Sequence, residues 1–188
     1  MKSFSLFLAV MSLTLVVASA PAAAKGPVVV SSAISEAEVL AAQNAWGEAL
    51  VRISRAHEEG GQARAAAVAA EVIDGAYGYD HGVVLFKPTL THGEQTFRID
   101  RQGALAYFVG GDGAYPDDSG FALKGWREFE IRNAAILIAG DLALTMGNVV
   151  LVDKQGQVTT VDKTWGFRKD AAGDLRIVLH HSSLPYTP

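Results

Sequence analysis

"VTTVDKTWGFRKDAAGDLRIVLHHSS" occupies residues 158–183: two runs of alternating β-branched, aromatic and polar residues joined by "KDAAGD" at 169–174. Runs of this composition are strands, and a short joint carrying Asp and Gly folds one back on the other as a hairpin. The same grammar extends upstream through "DKQGQ" at 153–157 and "AGD" at 139–141. Four strands are therefore expected, Ala122–Ile138, Leu142–Val152, Val158–Arg168 and Leu175–Ser183, paired as an antiparallel meander.

The first half of the chain has a different period. Ser35 followed by Glu38 is a capping-box pattern that opens a helix. Val39, Ala42, Trp46, Leu50 and Ile53 then recur at three- and four-residue spacing, which places one stripe inward until Gly60-Gly61 stops the helix. His57 extends the stripe at the helix's negative end. Residues 62–74 continue as an alanine-rich second helix with Val68 and Val72 inward, broken by Gly75 and Gly78. "VVLFKPTL" at 83–90 is β-rich, a short helix is expected around Gly103–Phe108, and "DGAYPDDSG" at 112–120 is a loop. Helices first and a meander later make an α+β protein with the helices gathered on one face of the sheet.

Residues 1–24 join one early lysine, an apolar run from Leu6 to Val17 and a small-residue tail, the three-part design of a secretory signal, with cleavage expected after Ala24. The run is shorter than the roughly 20 residues that span a bilayer. Residues 25–34 are then a leader segment and 35–188 one domain, periplasmic or secreted, with no membrane association after cleavage. The net charge is −4 and there is no basic cluster, so nucleic acid is excluded as a partner. The absence of cysteine excludes disulfides and thiolate metal sites.

Strand alternation sorts side chains by face. Val161, Lys163, Trp165 and Phe167 share one, which leaves Lys163 either snorkelling its ammonium to solvent or binding an anion at a pocket rim. Regular alternation in the last strand puts Ile177, Leu179, His181 and Ser183 inward, and Arg176, Val178, His180 and Ser182 on the other face. Adjacent histidines then point oppositely and cannot share a metal. "HHSS" likewise cannot serve as base and nucleophile to one another, and "YDHG" at 79–82 has the composition of a turn.

The order of elements and the strings "VLFKPT", "TFR", "YFVGG", "GFAL", "MGN", "VDKTWGF" and "LRIVLHHSSLPY" resemble the nuclear transport factor 2-like superfamily, near its SnoaL-like and calcium/calmodulin-dependent protein kinase II association-domain branch. The resemblance covers about residues 35–186. It implies a cone-shaped fold with N-terminal helices packed on a strongly curved antiparallel sheet, a pocket between them, and a homodimer or higher homo-oligomer formed through the sheet's outer face. The expected function is that of an exported small-molecule-binding protein, its polar-aromatic pocket suited to an anionic or carbonyl-bearing ligand. Lys87, Arg98, Trp126, Asn148, Lys163, Trp165 and Ser183 are its candidate ligand-binding lining, with His181 and Tyr79 as candidate catalytic groups. Two alternatives stand beside it: a SnoaL-like enzyme performing proton transfer with His181 as acid/base, assisted by Tyr79 or Lys163, and an oligomeric assembly module. No cofactor and no metal are called for.

Overall fold

The structure is a computed structural model that describes residues 33–188. The export signal expected at 1–24 and most of the 25–34 segment lie outside the described residues. Ile34 is buried and donates its N–H to the Gly140 carbonyl at 2.8 Å, so the core begins within the segment read as a leader.

Helix α1 (Glu36–Ala76) opens on the expected capping box: the Ser35 hydroxyl accepts the Glu38 N–H, and the Glu38 carboxylate accepts the Ser35 N–H at 2.7 Å. The two helices read from the sequence are two limbs of this one element, bent where Gly60 (φ −147°, ψ 17°) and Gly61 (φ +67°, ψ −166°) leave helical geometry. Gly61 occupies a region that L side chains rarely adopt. The first limb buries Val39, Trp46, Leu50 and Ile53. On the second limb the fully buried stripe is Ala65, Ala69 and Ile73, with Val68 and Val72 only half-buried at its edge. Gly47 lets α1 sit close on the sheet, since a Cβ there would come within 2.3 Å of the Phe129 ring.

Five strands follow: β1 (Leu85–Lys87), β2 (Trp126–Ala139), β3 (Leu142–Asp153), β4 (Val158–Lys169) and β5 (Leu175–Ser183). Their order is β1-β5-β4-β3-β2, antiparallel from β2 to β5, with β1 added parallel to β5 at the edge. The strand expected to begin at Ala122 begins at Trp126, because Phe121–Leu123 forms a single 3-10 turn after Gly120 (φ +84°). Helix α2 (Arg101–Val109) is capped by Asp100, whose carboxylate accepts the Gly103 N–H at 2.7 Å. Among the described residues no helix is long and apolar enough to cross a membrane.

One irregularity decides what the sheet presents to the core. Gly166 pairs with Leu179 while the next residue, Phe167, pairs with Ile177, so Val178 is an unpaired extra residue in β5. Such a bulge inverts the inward-outward alternation beyond it. Ile177 points inward before the bulge; His180 and Ser182 point inward after it.

Candidate active site

On β4 the buried face is Val161, Lys163, Trp165 and Phe167. Lys163 is 4 % exposed and does not snorkel. Its Nζ lies 2.6 Å from His180 Nε2, 4.4 Å from the centroid of the Trp46 ring and 5.2 Å from that of Trp165. Burial drives the Lys163 ammonium pKa well below its ordinary value. The His180 imidazole is likewise pushed well down, by burial first and then by Lys163 and His181. Among the described residues no carboxylate shares a hydrogen bond or ion pair with either.

The other side of His180 is held by the end of α1. Tyr77, the residue that caps that helix, shares a 2.8 Å hydrogen bond with His180 Nδ1, and Trp46 Nε1–H donates to the Tyr77 oxygen at 3.1 Å. Phe86 stacks on the imidazole with ring centroids 4.3 Å apart. Burial raises the Tyr77 phenol far above its ordinary pKa, so it remains a hydroxyl.

Beside this chain sits a group of hydroxyls. Ser182 lies two residues beyond His180 on the same buried face; Thr89 Oγ1 donates to its Oγ at 2.7 Å, and Lys87 Nζ donates to its carbonyl at 3.0 Å. The Tyr107 hydroxyl, delivered by α2, is buried with no partner at hydrogen-bonding geometry. Burial raises its pKa, and the Thr89 side chain and the backbone of Leu90 and Thr89, close to the hydroxyl but outside hydrogen-bonding geometry, act in the opposite sense. Three neutral hydroxyls thus converge under aromatic cover, an arrangement that presents donors to an oxyanion without placing a fixed charge there. The orphaned Tyr107 hydroxyl marks where an acceptor belongs, because buried polar groups are otherwise satisfied.

Several residues expected at the site are elsewhere. The β5 bulge turns His181 out to solvent and Ser183 to the outer face, and brings His180 and Ser182 inward in their stead. Tyr79 gives its hydroxyl to the Arg98 carbonyl at 3.0 Å. Asn148 stands on the outer face and donates to Asp162 at 2.8 Å. Trp126 donates its indole N–H to the Phe121 carbonyl at 2.7 Å, within the core. Arg98 is buried, but its partner is Asp118 and its guanidinium lies over Tyr115 at 4.6 Å. Lys163, Trp165 and Lys87 do border the buried cluster, whereas Trp46, Tyr77, Thr89, Tyr107, His180 and Ser182 are additions that the strand reading missed. A groove of 760 Å³ between the limbs of α1 and β2, lined by Arg52, Arg55, Glu59, Arg64 and Arg127, contains none of these groups.

The family model of the metal-independent carbonic anhydrases matches residues 37–184. A metal-independent carbonic anhydrase of Nostoc sp. (strain PCC 7120) is 63% identical over 158 residues, which are 84% of this chain and 77% of that protein. The crystal structure of a cyanobacterial iota-carbonic anhydrase complexed with bicarbonate is 62% identical with a TM-score of 0.85, over 87% of this chain and 99% of that one. A calcium/calmodulin-dependent protein kinase II association domain from Xanthomonas campestris, 22% identical with a TM-score of 0.50 over 82% of this chain and 91% of that one, shares the fold. The fold is that of the nuclear transport factor 2-like superfamily. The function expected from the residues needs correction: most of the chain aligns with enzymes of one named activity, so a binding protein for an unspecified anionic or carbonyl-bearing ligand is set aside.

Proposed function

The chain belongs to the metal-independent carbonic anhydrase family, and on that premise we propose that it catalyses the reversible hydration of CO2 to bicarbonate at Thr89, Tyr107 and Ser182. The observation that carries the placement is the buried, unpartnered hydroxyl of Tyr107 beside the Thr89–Ser182 hydroxyl pair.

Hydration turns a linear apolar molecule into a planar anion with three oxygens. Negative charge develops on the former CO2 oxygens as water attacks, so donors already aimed at those positions lower the barrier. Tyr107 supplies one such donor. The Thr89–Ser182 pair supplies another, since the end hydroxyl of a two-hydroxyl chain has its proton free to point at substrate. Phe86, Phe108 and Phe121 pack around Tyr107 and exclude bulk water, which strengthens each of these hydrogen bonds. No charged group lies in hydrogen-bonding contact with the Tyr107 hydroxyl, and a neutral cradle releases its anionic product more readily than a cationic one.

The test is the exchange of 18O between labelled CO2 and water, followed by membrane-inlet mass spectrometry on protein dialysed against a chelator. Accelerated loss of label is expected. A rate equal to the buffer blank would sink the reading.

The same proposal extends to assembly and location. On the outer sheet face Leu137, Leu144 and Leu179 lie in one cross-strand row and Ala135 and Met146 in the next; Leu137 and Met146 are each 62 % exposed. A homodimer formed through this face buries them. Sedimentation should give a dimer for the wild type and a smaller species for Met146→Glu. Export rests on residues 1–24, and the intact mass of the exported protein should begin after Ala24.

A further inference from the structure

Two hydrogen bonds to Tyr77 and two to His180 make one chain, and a count of protons gives it a direction. Trp46 Nε1–H can only donate, so the Tyr77 oxygen accepts from it at 3.1 Å. The other partner of that oxygen is His180 Nδ1 at 2.8 Å. If Nδ1 carried the proton, the Tyr77 oxygen would receive two donors and its own buried O–H would have no acceptor. The satisfied arrangement is the opposite one: Tyr77 O–H donates to Nδ1, the imidazole carries its proton on Nε2, and Nε2–H donates across 2.6 Å to Lys163 Nζ. An ammonium has no lone pair with which to accept it.

We propose that Lys163 is therefore held as a neutral amine and is the general base of the site, taking the proton that the attacking water loses. The inference rests on the proposed hydration activity. Lys163 stands directly opposite Ser182 in the β4–β5 register, both on the buried face, and Ser182 is one of the hydroxyls assigned to the bicarbonate oxygens. Directly opposed residues have Cβ atoms about 4.5–5.5 Å apart, which places the amine within reach of a water bound beside the hydroxyls. In the step the water O–H bond breaks and its oxygen forms a bond to the CO2 carbon. A C=O π pair moves onto the oxygen that accepts from Tyr107, and the Lys163 lone pair, released from His180 Nε2–H as the amine turns about its Cε–Nζ bond, takes the proton. CO2, water and amine become bicarbonate and ammonium, and the ammonium passes its proton to buffer.

The wiring also explains why the ammonium does not persist. Protonating Lys163 removes the acceptor of His180 Nε2–H, forces the imidazole into its other tautomer and orphans the Tyr77 O–H. The relay thus returns the amine to its neutral form after each turnover. The titratable groups around it are His180 and His181 on β5, Tyr77 at the end of α1 and Lys87 on β1, none of them an anion that favours an ammonium. Asp162 on β4 points to the other face, where it accepts from Asn148.

Two measurements test the proposal. In the first, urea unfolding of wild type and Lys163→Met is compared from pH 7 to pH 10. A lysine neutral when folded and charged when unfolded releases one proton on folding, so the wild-type unfolding constant falls about tenfold per pH unit relative to the variant. Parallel curves overturn the proposal, whether or not the protein hydrates CO2. In the second, kcat for CO2 hydration is followed against pH for wild type, Lys163→Met and Lys163→Arg. Both variants should lose at least a hundredfold from pH 7 to pH 10 while still binding bicarbonate in a 13C titration, and the wild-type kcat should stay level across that range because its amine is already neutral. Full activity in Lys163→Met overturns the base assignment. An inactive wild type overturns the activity reading and the base role with it, while the unfolding curves still decide whether the amine is neutral.

Discussion

Arg98 holds both carboxylate oxygens of Asp118 with a single nitrogen: Nη2 lies 3.0 Å from each, and the two side chains are only 3 % and 6 % exposed. The pair ties the 112–120 loop to the segment ahead of α2. Gly103 makes room for it, since a Cβ there would lie 2.8 Å from both Arg98 Cδ and the Tyr115 hydroxyl. Nε and Nη1 of Arg98 have no partner of their own, so the guanidinium depends on this one carboxylate.

Asp118→Ala should therefore cost about 3–5 kcal/mol, the usual consequence of leaving a buried charge uncompensated. Glu130→Ala, which breaks the exposed Arg132 pair, should leave stability nearly unchanged, because solvent screens such a pair. Urea midpoints of the two variants make the comparison, and similar small losses would show that Arg98 finds another partner.

Tyr107→Phe removes a hydroxyl that has no partner in the resting protein. Stability should hold or rise slightly, because no hydrogen bond is lost and a buried polar group is gone. The rate of CO2 hydration should fall by about 10²–10³, the scale of one oxyanion donor. Stopped-flow indicator assays read the rate, and undiminished activity would remove the hydroxyl from the chemistry.

Acid should loosen the fold in two stages. His180 has its pKa lowered by burial first and then by Lys163, so below the ordinary value of about 6.5 the unfolded chain takes up a proton that the folded one refuses. Stability present above that pH declines as pH falls below it, by up to about 1.4 kcal/mol per pH unit. Further down, Glu38 adds a second decline. The Lys169 hydrogen bond, with help from Ser35, holds its pKa at about 2 against an ordinary 4.5, and what these bonds contribute is lost as pH falls from about 4.5 through 2. Urea midpoints at pH 7, 6 and 5 should fall more steeply for wild type than for His180→Gln; equal slopes would refute the assignment.

The sequence made the architecture legible because its signals are local. The Ser35–Glu38 cap, the glycine pair at 60–61 and the three hairpin joints each act within a few residues, and each stands where it was expected. Lys163 was also visible, since a cation in an apolar alternation stands out. The site was less legible because the unpaired Val178 carries no signature of its own: Val is an ordinary strand residue, and the bulge arises from how β5 pairs with β4. That one unpaired position exchanged His181 for His180 and Ser183 for Ser182. Thr89, Tyr107 and Tyr77 come from a loop, α2 and the end of α1, and only the folded chain brings them together.

The bend at Gly60-Gly61 has a consequence for how the chain closes on itself. At about 1.5 Å per residue an unbroken helix of this span would reach roughly 60 Å, far beyond the sheet its first limb covers. A β-branched residue at Gly61, where φ is +67°, penalises the bend and favours the straight rod. The first limb then cannot reach its own sheet, and the same apolar stripe of Val39, Trp46, Leu50 and Ile53 is free to seat on that of another copy. Gly61→Val should accordingly populate an intertwined, domain-swapped dimer, separable from the wild-type assembly by its slow, concentration-dependent exchange after refolding. Two adjacent glycines thus keep each polypeptide self-contained.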